Sequence, residues 1–584
     1  MFAGASAQRT SVCTRTSQAL AQRWRRRLVH LRPPCRHDAL QQRTLATSHL
    51  KDESTRASLN VAVLGGGITG LASAYYLAQQ LPKAHITLFE GTSRLGGWLH
   101  SKQIDVGTGK IVFEQGPRTL RPSRPNGWVT LDLIRDLALE DQVLMTSKES
   151  VAAQNRFIYF PDHLVRLPGP GSSLLNVFFS LFTEPLYKNM LSASLTEILK
   201  PVRGNLDDES IGSFISRRFR SSLADNLVSA GIHGIYAGDI YQLSIRSIMP
   251  FLWAAEEAAK SVTAGFAGGW TLHWPQDTGL DAEWAKAAPP SDTIQAIRNS
   301  SVFTFRKGIG QLAGRLETKL RESANVTTRL LTRVEELQLE QVEGVPSISL
   351  VARSDGEVTC QPEKESFTHV ISTISGKALN NIVRPESGLS TLSLTPSVTV
   401  MVVNLYYSNP SLLPARGFGY LLPRSLAFDQ NPERALGVVF DSDATIGQDE
   451  IPGTKVTVML GGHWWDEWIA YPDEEQGASM AKAILQRHLG ISEEPQAVHV
   501  GLQTNCIPQY TVGHHSRMAQ AHEALKRFNG RLRVAGNSYT GVGLNDCVRS
   551  AREVAMGLVE GRDEKTGLEF FTKDYAPVMR QKKD

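Results

Sequence analysis

The feature that most constrains this chain is a glycine cluster held between two apolar segments. Residues 59–64 read LNVAVL, and the pattern from Ile68 to Gln80 is helical until Pro82 stops it. Between them Gly65, Gly67 and Gly70 form GxGxxG, with Gly66, Ile68 and Thr69 completing the turn. HITLFE at 85–90 supplies a second strand that ends on Glu90, twenty residues after Gly70. Strand, glycine turn, helix and strand in that order open a parallel sheet. The first glycine permits the tight turn, the second lets the backbone approach a pyrophosphate, and the third lets helix and strand pack closely. Phosphates then sit at the positive end of the helix. A carboxylate at Glu90 suits a ribose diol. GxGxxG alone often serves only a turn; here strand, helix and acid all fall where a dinucleotide needs them.

The next residues narrow the ligand. GTSRLGGW at 91–98 supplies Gly91, Arg94, the Gly96–Gly97 pair and Trp98. This resembles the extended fingerprint of two-dinucleotide-domain flavoproteins, the flavin amine oxidase superfamily. The resemblance implies that Arg94, Gly97 and their neighbours lie along the pyrophosphate of FAD.

The formal charge of +4 comes from one end of the chain. Residues 1–50 hold nine Arg, no Lys and a single acid, Asp38, which leaves the remainder near −4. An Arg-rich, acid-poor leader without an apolar core reads as a mitochondrial transit peptide, cleaved between Arg43 and Leu59. The mildly acidic body argues against a nucleic-acid partner. Cys360, Cys506 and Cys547 lie far apart and form no CxxC, so neither a disulfide framework nor a metal site is expected. No apolar run is long enough to span a membrane.

Along the body, 127–140 reads as a helix, RFIYF at 156–160 as a strand, and 165–260 as largely helical. Residues 261–300, with AGFAGGW, further Trp and a Pro pair, show no clean period and read as an insertion loop. Strand, turn and helix return at 302–320. Paired strands follow at 334–340 and 347–352, and further β segments at 398–407, 435–441 and 455–460. A helix near 478–489, a strand at 532–536 and a helix from about Asn545 close the chain.

Several of these segments resemble the protoporphyrinogen oxidase family: FEQGPRTLRP at 113–122, AAQNRFIYF at 152–160, GIYAGDIYQLSIRS at 234–247, GFGYLL at 417–422, VTVMLGG at 456–462, NCIPQYTVGH at 505–514 and AGNSYTGVGLNDCVRSA at 535–551. The resemblance implies an α/β two-dinucleotide-binding-domain flavoprotein. It would have a Rossmann-like FAD domain (59–150, 301–385 and 526–575), a mixed-sheet substrate domain (151–165 and 386–525) and a helical, membrane-associated subdomain (166–260). The cofactor implied is non-covalent FAD. Gly116, Pro117, Arg118 and Thr119 would contact the flavin, Val334 the adenosine half, and Gly536, Val542, Gly543 and Leu544 the ring end. Arg156 would bind a substrate propionate, since a guanidinium fork suits a carboxylate. Phe418, Leu421 and Met459 would sandwich a tetrapyrrole. No catalytic base is named; Tyr510, His514 and His233 read as structural.

The implied reaction is a six-electron oxidation of protoporphyrinogen IX by O2. The implied setting is the inner mitochondrial membrane, with monotopic attachment, homodimerisation and handover to ferrochelatase. Two other readings stay open. One is a flavin oxidase of amines or carotenoids. The other is a non-enzymatic binder of the prenyl-GTPase dissociation inhibitor kind, which shares the glycine-rich fold without FAD.

Overall fold

The first strand, Asn60–Leu64, sits at the centre of a five-stranded sheet, which explains why its residues are apolar on both faces. The order across the sheet is Val326–Arg329, His85–Phe89, Asn60–Leu64, His369–Ser372 and Leu532–Val534, and every pairing is parallel. This computed structural model describes residues 59–169, 174–287, 289–342, 345–354 and 362–581, all within one unit that begins at Ser58; the leader lies outside the described residues.

Alternation along the first strand sorts two cores. Val61 and Val63 face helix Ile68–Gln80 and the last long helix, Leu544–Val559, where Ala72, Ala74, Ala551 and Ala555 permit close approach. Ala62 and Leu64 face the other way. There they meet Ile348, Leu350 and Phe367 of an antiparallel three-stranded sheet (Thr332–Val342, Val345–Ser354, Glu363–Phe367) and Met518 and Leu525 of helix His514–Leu525. Each fully buried branched side chain contributes roughly 1.5–3 kcal/mol.

A second sheet of seven strands is mixed. Its order is Ala497–Pro508, Ser397–Tyr407, Thr454–Gly461, Ala435–Phe440, Gly419–Leu421, Phe157–Tyr159 and Leu164–Arg166. All neighbours are antiparallel except 157–159 with 419–421. Met401, Val403, Leu405, Val456, Val458 and Leu460 face helix Glu474–Leu489, burying Ile484 and Leu485. The opposite residues, Val400, Val402 and Met459, form the face used below.

The stretch between these sheets is helical, from Leu174–Thr183 to Pro250–Ala259, and is fastened by buried ion pairs. Glu197, fully buried, accepts Arg218 Nε at 2.7 Å and the Val262 N–H at 3.0 Å, and also bonds Ser261 Oγ. Glu256 accepts Arg217 Nη1 at 2.7 Å and the Arg203 N–H at 3.0 Å.

Two expectations need correction. The helix expected over 127–140 ends at Asp136, because Ala138 takes a left-handed conformation (φ +52) that closes it without a glycine signal. Residues 261–300 are not a loop. They hold helices Val262–Ala267, Asp277–Lys286 and Asp292–Asn299 and strand Trp270–His273. Leu280, Ile294 and Ile297 enter the core, Trp284 Nε1 donates to Asp132 Oδ2 at 2.8 Å, and Glu283 pairs with Arg552 at 2.6 Å. The anchors are non-local, so no period along the segment reveals them.

The Glu197→Ala variant takes from buried Arg218 its shorter ion pair and leaves only the contact with Glu256 at 3.4 Å. It should lose about 3–5 kcal/mol of stability, read as a lower denaturant midpoint, whereas Glu197→Gln should lose less.

Candidate cofactor and substrate site

Two glycine segments meet backbone to backbone at the start of helix Ile68–Gln80. The Gly96 N–H donates to Gly66 O at 2.8 Å, and Gly67 bridges Gly96. A Cβ added to Gly97 (φ +56) would lie 3.0 Å from Gly67 Cα. A Cβ on Gly70 would strike Gly65 O at 1.8 Å, so that glycine permits the turn to close under the helix. Gly67 differs: the nearest atom to its added Cβ is 3.9 Å away, so space stands open there. No side chain caps this helix. Its first bond runs from the Leu71 N–H to Gly67 O, so the N–H groups of Ile68, Thr69 and Gly70 have no partner inside the helix.

Glu90 is tied in place beside this turn. Its Oε2 accepts the Gly66 N–H at 2.7 Å, and its Oε1 accepts the Thr92 N–H and Oγ1 at 2.8 Å each. Gly91 follows in open space, and exposed Arg94 donates to Gly97 O at 2.6 Å. Val334 stands two residues beyond Thr332, whose N–H donates to Glu90 O. Gly536 (φ +114) places the 535–543 segment against the turn: its added Cβ would lie 3.3 Å from Thr69 Oγ1. Val542 and Gly543 then lead into the last long helix, whose first residue, Leu544, is core.

The loop at 113–122 packs on the same region, where an added Cβ at Gly116 would meet Trp98 O at 2.5 Å. Pro117 is exposed and Thr119 half-buried. Arg118 turns inward to pair with Asp441 at 3.0 Å, so its guanidinium is directed into the protein. Burial pushes the carboxyl of Glu114 up to about 7, against bonds from Ser101 Oγ and the Ile309 N–H that lower it.

Beyond this loop, cross-strand register lines up a row on the face of the seven-stranded sheet that turns toward the helical segment, where Ile158 and Leu421 pack with Ala230. Ile158, Leu421, Gly437, Met459, Val402 and Gly501 are successive partners across six strands. Gly437 contributes no side chain between Leu421 and Met459; its added Cβ would lie 2.9 Å from Leu421 Cδ2. Arg156 stands at the margin of the row, with its guanidinium carbon 5.8 Å from the centre of the Phe418 ring. The structure thus brings Leu421 and Met459 onto one face and Phe418 beside Arg156.

The family model for flavin containing amine oxidoreductases matches residues 68–559. The protoporphyrinogen oxidase of Schizosaccharomyces pombe is 34% identical, covering 86% of this chain and 98% of its own. That of Homo sapiens is 35% identical, covering 85% and 98%.

The chain belongs to the protoporphyrinogen oxidase family, within the flavin-containing amine oxidoreductases. A solved structure from Exiguobacterium sp. shares the fold, with a TM-score of 0.65 at 23% identity over 86% of this chain and 98% of that one.

The residues present fit the FAD of this family. The uncapped helix start, the open space at Gly67 and the anchored Glu90 offer what a pyrophosphate and a ribose require. Cys547 is buried, and burial pushes its thiol up to about 12. Tyr510 and His514 stack at 4.1 Å and bond the carbonyls of Asn537 and Tyr539, supporting the 535–543 segment from below. His233 lies in a pair with His463 (Nε2 to Nε2, 2.9 Å), and burial holds its imidazole down at about 4.

Several site residues escaped the sequence. Thr373 Oγ1 bonds the carbonyls of Leu64 and Gly65, and Asp441, Thr457 and Asn404 secure the loop at 113–122. They come from segments far apart in the chain, and of the four only Thr457 falls inside a quoted family segment, 456–462.

The Gly67→Val variant should fold, since the backbone there is extended (φ −70, ψ −179), but fill the open space. The purified protein should be colourless with near-parental stability; a yellow variant would refute the assignment.

Glu114 predicts a pH effect. Between its ordinary value of 4.5 and the folded value near 7, the unfolded chain has released a proton that the folded chain keeps. Stability therefore falls as pH rises through that window, by roughly 3 kcal/mol at completion. Glu114→Gln should remove this slope, measured as denaturant midpoints from pH 5 to 8.

Proposed function

We propose that the chain is an oxygen-dependent protoporphyrinogen IX oxidase of haem biosynthesis. Protoporphyrinogen IX and three O2 become protoporphyrin IX and three hydrogen peroxide. Likeness to the two named relatives over almost their whole length carries this reading. The geometry supports it: an apolar face with cationic Arg156 at its margin suits a large ring bearing carboxylates.

The FAD-binding part is assembled from 59–150, 301–385 and 526–575, and the substrate part from 151–165 and 386–525. Gly65 to Gly70, Gly91, Arg94, Gly97 and Trp98 receive the pyrophosphate, Glu90 the ribose, and Val334 the adenosine half. Gly116, Pro117, Thr119, Gly536, Val542, Gly543 and Leu544 frame the ring, with Arg118 acting through Asp441. Bound there, FAD supplies the redox chemistry, taking electrons in pairs and passing them to O2. The chain's own work is to hold the ring of the substrate flat against Leu421, Met459 and Val402, and to hold a carboxylate at Arg156 beside Phe418. No side chain is assigned as base.

We place the enzyme at the inner mitochondrial membrane, on the intermembrane-space side, with residues 1–50 as its transit peptide. Among the described residues no helix is long and apolar enough to cross a membrane. The helical part exposes Phe179, Phe182, Leu195 and Leu199 at 62%, 65%, 78% and 82%, which suits a monotopic contact. Homodimerisation and handover of product to ferrochelatase are expectations taken from the family.

The test is aerobic turnover of protoporphyrinogen IX by purified protein lacking residues 1–50, followed as porphyrin fluorescence alongside the flavin spectrum. Fluorescence well above autoxidation with releasable FAD is expected. Bound FAD without turnover would point to a sister oxidase, and absence of flavin to a binding protein.

A further inference from the structure

A cleft of about 380 Å³ opens at the Arg156 margin of the substrate face. It is lined by Arg121, Lys148 and Arg156 together with Gln154, Ser300 and Ser301. Three cations and no acid line it. Among the described residues none of the three has a carboxylate within salt-bridge distance. Glu149 follows Lys148 in sequence, but it bonds Ser147 and does not line the cleft.

Like charges gathered at one cleft repel one another, most of all at Arg156, which is half-buried. Burial and the nearby Arg121 both lower the Arg156 pKa, which records the crowding. An arrangement that repels itself when empty is relieved by anions.

The cleft is also fixed to both halves of the site. Arg156 reaches the Phe418 ring. Arg121 O accepts Asn545 Nδ2 at 2.8 Å, and Asn545 lies in the first turn of the helix that follows Val542 and Gly543.

We infer that Arg121 and Lys148 act with Arg156 as one receptor for both carboxylates of the substrate, which fixes the orientation of the ring on the sheet. The inference rests on the oxidase reading above. Protoporphyrinogen IX carries its two propionates on one edge. With that edge in the cleft, the apolar remainder of the ring is directed past Phe418 toward Met459, about 14 Å from the strand of Arg156 at three strand spacings. The apolar vinyl edge then lies over Met459 and Val402, where nothing charged is needed.

The experiment compares the parent protein with Arg121→Ala, Lys148→Ala, the double variant and Arg121→Lys. Each is given protoporphyrinogen IX and its dimethyl ester. In parallel, binding of the product protoporphyrin IX and its dimethyl ester is measured by quenching of protein fluorescence, which needs no turnover. Arg121 and Lys148 are exposed, so the variants should fold. The double variant should raise KM for the diacid tenfold or more, the usual scale for losing charge-assisted bonds, and leave KM for the diester near parental. Arg121→Lys should recover part of the loss. Parental binding should favour free acid over ester, and the double variant should lose that preference. Equal effects on acid and ester, or no effect on either, would overturn the cleft assignment while parental turnover upheld the oxidase reading. If the parent turns over neither substrate, the oxidase reading fails, and the binding preference alone still decides whether the cleft receives two carboxylates.

Discussion

A buried ion pair joins the two sheets on which everything else depends. Arg118, in the loop that packs against the glycine turn, pairs with Asp441, which follows the strand Ala435–Phe440 of the second sheet. Both side chains are under a tenth exposed. Asp441 is also bonded by Thr457 Oγ1, Thr457 bonds Asn404, and Asn404 Nδ2 returns to Glu114 O at 3.2 Å. The circuit closes on the loop where it began. A buried charge pair contributes little net stability compared with an apolar contact of the same volume, but it tolerates very little displacement. Its value here is registration. A face that must hold a ring against a cofactor held by another sheet needs the two at a fixed separation, and apolar contacts alone would let them slide.

The cofactor half of this arrangement was legible in the sequence because its signals are local. Helix Ile68–Gln80 falls where the glycines and Pro82 put it, and the first two strands fall within a residue of their expected ends. Glycine carries the message in both segments because backbones touch there, and only a residue without Cβ permits that. The second sheet was less legible. Ser397–Tyr407 and Thr454–Gly461 were visible as β-branched runs. The long edge strand Ala497–Pro508 was not, because its outward residues are polar and its end was read as a motif. The insertion at 261–300 failed for a third reason: three short helices are held by Trp284, Glu283 and Leu280 against partners far away in the chain. Lys148 carried no pattern, and Arg121 lay inside the 113–122 segment with no role of its own to read, since a cleft assembled from separate segments has no spacing.

The face itself explains why charge must gather at its margin. Val402, Met459 and Leu421 offer area and no direction, and Gly437 leaves the middle of the row without a side chain. Such a surface holds a flat apolar ring by desolvation, a force that barely changes when the ring turns in its own plane. Orientation therefore has to come from groups that act at a point. In the proposed function Arg156 supplies one, and one anchor still lets the ring pivot. Two carboxylates held on one edge stop the pivot. An ammonium-bearing substrate would meet the opposite field at the same place, so the charge that orients a dicarboxylate also turns amines away. On the proposed reading, selectivity sits at the rim of the face, away from the flavin chemistry that the chain shares with its wider superfamily.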